Sequence, residues 1–88
     1  MTPELKKEWQ NLYSTTIGNL GYSKMKSGQL EGVEALFKEA LKISINNGNE
    51  SDITYKYSNL GEYYAVVKDT IQSIDYLKKS LKLAEKQK

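Results

Sequence analysis

A few residues in this chain are of types that take part in catalysis. Glu31 with Glu34, and Glu50 with Asp52, are carboxylates close in sequence, the raw material of acid–base work. Ser23-Lys24 and Lys79-Ser80 set a hydroxyl beside an amine, the elements of a Ser–Lys nucleophile. Gly18-Asn19-Leu20-Gly21 has the glycine content of a phosphate-cradling loop. Each lacks the rest of its machinery. The acids sit where helix caps and solvated faces want them, and neither Ser–Lys pair has an oxyanion motif nearby. The glycine segment falls inside a helical pattern, with no strand before it and no Lys-Ser or Lys-Thr after it. The chain has no Cys and no His, which removes the thiolate nucleophile, the disulfide, the commonest general base and the usual zinc ligands. The expectation is a protein that is not an enzyme, with no catalytic residue, no cofactor and no metal.

Eighty-eight residues allow one domain, spanning 1–88. With 39% hydrophobic and 27% charged residues, the composition is that of an ordinary globule, not a disordered or fibrous chain. The net charge is +2 and every basic residue is Lys, so the field is weak and no guanidinium fork is available for phosphate or guanine. Nucleic-acid and membrane partners are not expected. The N-terminal residues lack the apolar core of a signal peptide, no apolar run reaches the length of a membrane span, and the absence of Cys suits a reducing compartment. The expected location is cytoplasmic.

Asn19-Leu20-Gly21 returns forty positions later as Asn59-Leu60-Gly61, and the same offset pairs Lys38 with Lys78, Leu41 with Leu81 and Lys42 with Lys82. Phe37 likewise meets Leu77, Ala40 meets Ser80 and Ile43 meets Leu83, so the conserved character falls on apolar and small sites that a packed helical pair needs. Helix punctuation agrees with two such pairs. Thr2 caps a first helix with Pro3 at its first position, and Leu5, Trp9, Leu12, Tyr13, Ile17 and Leu20 recur at spacings of three and four, out to about Lys26. Ser27-Gly28 breaks it. A second helix carries Leu30, Val33, Leu36, Phe37, Ala40 and Leu41, to about Ile45, and Asn46-Asn47-Gly48-Asn49 ends it. Ser51 or Asp52 caps a third, with Ile53, Tyr57, Leu60 and Tyr64. Asp69 opens a fourth, with a capping-box-like Gln72 and a face of Ile71, Ile74, Leu77, Leu81 and Ala84. No period-two alternation predicts a strand. Four helices of this kind fit either a compact bundle or two stacked hairpins, and the internal repeat favours the stack, because stacking presents the same interface twice.

These residues resemble the tetratricopeptide repeat, in its long variant of about 40 residues where the usual period is about 34. Tyr57, Leu60-Gly61, Tyr64, Ser73, Leu77 and Ser80 occupy the motif in the second unit, and Ile17, Leu20-Gly21, Lys24, Val33, Phe37 and Ala40 in the first, with Lys24 and Val33 as departures. The resemblance covers residues 14 to 87, with unit one at about 14–47 and unit two at about 54–87. It implies an all-α fold of two stacked helical hairpins, a fragment of an α-solenoid. It also implies a concave groove lined by the first helix of each hairpin, with Thr15, Gly18, Asn19, Tyr22, Met25 and Lys26 from one and Tyr55, Ser58, Asn59, Glu62, Ala65 and Val66 from the other.

Within that groove Asn19, Tyr22, Lys26, Tyr55, Asn59 and Glu62 are the expected peptide-binding residues. An amide both donates and accepts, so Asn19 and Asn59 can pair with any peptide backbone, as Asn residues at this position do in long-repeat relatives; the alternative is a bond to the neighbouring helix. The Lys–Asn pair that some family members use on a C-terminal carboxylate is replaced here by Gly18 and Tyr22. Tyr22 and Tyr55 supply amphipathic contact area, or else fill core, as Tyr13, Tyr57 and Tyr64 are expected to do. Tyr76 and Leu83, on the last helix, are expected to face solvent and to support a homodimer, or to mark a piece of a longer array with Glu85-Lys86-Gln87-Lys88 as a polar end. The functional expectation is an adaptor that binds a peptide or protein partner. The alternatives are a small regulatory or inhibitory protein of phage or plasmid type, which the Lys, Asn, Ile and Tyr bias of a low-GC genome suits, or a self-assembly module.

Overall fold

The computed structural model describes residues 2–86 and is all-helical, with α1 (Pro3–Lys26), α2 (Val33–Asn47), α3 (Glu50–Val66) and α4 (Thr70–Lys86). Gln87 and Lys88, expected to close the chain as part of a polar end, lie outside the described residues. Thr2 accepts the Leu5 amide at 3.2 Å and Pro3 occupies the first turn, so α1 begins where expected. The α3 start differs from expectation. Asn49, not Ser51 or Asp52, is the cap, because its extended backbone lets Oδ1 accept the Asp52 amide at 3.1 Å. Asp69 caps α4, accepting from the Gln72 backbone and side-chain amides at 3.2 Å each.

Packing follows the chain. α1 pairs with α2 and α3 with α4; α2 also packs on α3, and α1 touches α3 lightly. α4 meets neither α1 nor α2 through its backbone, and the molecule measures 43 × 31 × 15 Å, so the helices form an open slab and do not close into a bundle. The shared core is Met25, Val33, Phe37, Leu41, Leu60 and Tyr64, with Leu30, Ile53, Tyr57, Tyr63 and Tyr76 against it. It draws on both hairpins.

The forty-residue echo is visible in the packing. A methyl group at Gly21 would come within 2.8 Å of Phe37 Cε1, and one at Gly61 within 2.6 Å of Leu77 Cδ2, so each glycine admits the side chain sixteen positions on. Both hairpins also turn alike. The Gln29 amide donates to the Lys24 carbonyl and the Asp69 amide to the Tyr64 carbonyl, each at 2.8 Å, around a left-handed residue that is Gly28 in one hairpin and Lys68, at φ 65°, in the other.

One sequence expectation fails in α1. Its core face is Ser14, Ile17, Gly18, Gly21 and Met25, whereas Leu5, Trp9, Leu12, Tyr13 and Leu20 point outward. Periodicity located a helical stripe; it could not say that small residues, which let α2 and α3 approach closely, would take the inner side.

Candidate functional site

The six residues expected to meet a peptide lie on α1 and α3. Tyr22, Lys26 and Glu62 come together: Lys26 spans from α1 to pair with Glu62 on α3, and its ammonium lies 5.2 Å from the centre of the Tyr22 ring. The hydrogen bond to Glu62 is the main reason the Lys26 ammonium is held above its usual pKa. Tyr55 is exposed one turn before Asn59, with Lys56 Nζ 5.4 Å from its ring centre.

The two asparagines part company. Asn19 is exposed, but Asn59 is only 4% exposed, its Nδ2 buried without a hydrogen-bond partner. The expectation of two equivalent open amides is therefore corrected. α3 packs on α4, α2 and, lightly, α1, whereas α1 packs mainly on α2, so more of the α3 surface is covered. Of the other groove positions, Gly18 and Met25 are buried as well.

Below this face runs a polar seam that sequence reasoning missed. Lys56 is buried, with its ammonium 3.2 Å from Asp52 Oδ1. Asp52 in turn accepts from the Ser44 hydroxyl, and Ser14 donates to the Ala40 carbonyl at 3.0 Å. Gly18 is part of the same arrangement, since a methyl group there would stand 3.2 Å from Lys56 Nζ. A signal existed: Lys56 occupies the buried register three positions after Ile53 and four before Leu60. It went unread because Lys is rarely buried unless paired. The seam is a neutralised ion pair with hydroxyls around it, and it offers no free nucleophile.

Tyr76 and Leu83 do not face outward as expected. Tyr76 stacks on Tyr64, with ring centres 5.5 Å apart, and is half-buried. Leu83 is half-buried and lines a shallow depression of about 500 Å³ with Tyr57, Lys79, Lys82 and Lys86. Two of those lysines are already paired, Lys79 with Asp75 at 3.2 Å and Lys86 with Glu50 at 3.5 Å. The exposed apolar residues of α4 are instead Ile71, Ile74, Leu77 and Leu81. Tyr13 is exposed too, whereas Tyr64 is core and Tyr57 half-buried.

On the α2–α3 seam the Tyr64 hydroxyl donates to Glu34, which holds the Glu34 carboxyl below the usual carboxylate range, while burial raises the Tyr64 phenol. Among the described residues no group of three or more carboxylates could hold a metal ion, and no helix is long and apolar enough to cross a membrane. Comparison with protein-family models, with curated proteins and with solved structures finds no match to this chain.

Proposed function

We propose that this chain is a cytoplasmic interaction module of the tetratricopeptide-repeat kind that takes an extended peptide or protein segment along the α1–α3 face and performs no chemistry. The observation that carries this reading is the orphaned amide of Asn59. A buried donor without an acceptor costs about 1–3 kcal/mol, and a peptide carbonyl brought to Asn59 recovers that cost. Its neighbours on the same helix, Tyr55 and Glu62, lie one turn to either side of it. Exposed Asn19, Tyr22 and Val66 extend the contact with a second amide, an aromatic ring and an apolar side chain.

The test uses peptides selected from a random display library on the folded chain. Asn59→Ala should weaken the selected peptides at least tenfold while leaving Tm unchanged or raised, because it deletes an unpaired donor. Undiminished binding combined with a fall in Tm of several degrees would make the amide a structural group and remove the proposal.

A further inference from the structure

The α1–α3 face leaves unused the two broad apolar surfaces of the molecule. One is the outer side of α1, with Leu5, Trp9, Leu12, Tyr13 and Leu20; the other is the outer side of α4, with Ile71, Ile74 and Leu81. Each carries a shallow depression, one of about 150 Å³ at Leu5, Glu8, Trp9 and Leu12 and one of about 410 Å³ at Ile71, Gln72, Ile74, Asp75 and Lys78. Exposed apolar area on this scale marks an association surface.

The molecule already contains a junction between the corresponding surfaces. Inside the chain α3 packs on α2, where Leu41 and Leu60 share one cluster with Ile53 against it, Ser44 donates to Asp52, and Tyr64 meets Glu34 and Lys38. Moving forward by the forty-residue offset, the α2 side of that junction becomes Ile74, Lys78, Leu81 and Ala84 on α4. Moving back by the same offset, the α3 side becomes Leu12, Tyr13, Leu20 and Lys24 on α1. Two of the pairs show that the match has chemical sense. Leu41 with Ile53 and Leu60 becomes Leu81 with Tyr13 and Leu20. The hydrogen-bonded Ser44 and Asp52 become Ala84 and Leu12, apolar on both sides. A polar group replaced on only one side would leave a buried orphan; here both members change together.

We infer that the chain associates with further copies of itself head to tail, the outer face of α4 on one copy receiving the outer face of α1 on the next in the way α2 receives α3. The contact is heterologous: the two faces differ, a dimer keeps one α1 face and one α4 face free, and growth continues past the dimer. A single helix-on-helix contact falls at or below the low end of stable interfaces, so association is expected at high protein concentration. Lys24 of one copy approaches Lys78 of the other, in the places of Tyr64 and Lys38. Added salt screens that repulsion and strengthens the contact.

The experiment is light scattering and sedimentation of the intact chain from about 10 µM to about 1 mM, with salt varied. The expected mass rises with concentration from 10.0 kDa through about 20 kDa and beyond, and rises further with salt. Leu12→Glu and Leu81→Glu each block one face. Both residues are 60% exposed, so both variants should keep wild-type circular dichroism, with Leu20→Glu and Ile74→Lys as second choices on the same faces. Each variant alone should be monomeric, its affinity lowered at least tenfold. An equimolar mixture of the two should form a 1:1 dimer and stop there, because each supplies the face the other lacks. A strict monomer at about 1 mM overturns the inference. So does a Leu12→Glu variant that still dimerises unaided, since that outcome means symmetric pairing through α4.

Discussion

Leu20 and Leu60 stand at the same place in the same Asn-Leu-Gly motif, forty residues apart, yet Leu20 is 51% exposed and Leu60 is 0% exposed. Asn19 and Asn59 differ in the same sense. The helices are alike and their surroundings are not: α3 has α2 against its Leu60 side, and α1 has no partner there. The pair teaches that a repeat motif specifies a surface, and that burial of the surface depends on whether another unit arrives to cover it.

The largest effect should appear when that difference is tested directly. Leu60→Ala is expected to cost about 3–4 kcal/mol by chemical denaturation, and Leu20→Ala under about 1 kcal/mol. Equal losses would mean that the two helices are equally covered in solution. Next is the polar seam around Lys56. Asp52→Asn strands the buried Lys56 ammonium and should cost about 3 kcal/mol, whereas Leu12→Asn at the matching site of α1 should change stability by less than about 0.5 kcal/mol.

The shared features should give matched effects. Gly21→Ala and Gly61→Ala each push a methyl group into the partner helix's side chain and should cost about 1–3 kcal/mol apiece. A loss confined to one of them would break the equivalence of the hairpins. The turns sharpen the comparison again: Lys68→Gly removes a left-handed non-glycine residue and should add about 1 kcal/mol, while Gly28→Lys should subtract a similar amount. The smallest effect belongs to Glu34. Its folded pKa is lowered, so its contribution is present above the ordinary carboxyl value of about 4.3 and fades as pH falls through the folded value. Partial exposure limits it to under about 0.5 kcal/mol, and Glu34→Gln should flatten stability on the acid side of that range.

Much of the fold was legible because its signals are local. The caps at Thr2 and Asp69 and the breaks at Gly28 and Gly48 all reflect backbone geometry or short-range spacing. The expected face of α1 was not legible in the same way. Its large apolar residues carry the stronger hydropathy signal, but the inner side went to Ser14, Gly18 and Gly21, where close approach of other helices counts for more than hydrophobicity. The candidate site divided along the same line. Asn19, Tyr22 and Tyr55 are exposed, Asn59 is buried, and Lys26 and Glu62 pair with each other.

The order of amino acids by itself determined four helices, the caps at Thr2 and Asp69, the breaks between helices and a repeated motif, because hydrogen bonding within a helix and steric fit at a glycine act over a few residues. Which side of each helix would be covered was decided only in three dimensions. Burial is a property of what lies opposite: α2 closes over Leu60 and leaves Leu20 open, and a lysine enters the interior only because Asp52 and Gly18 make room for its charge.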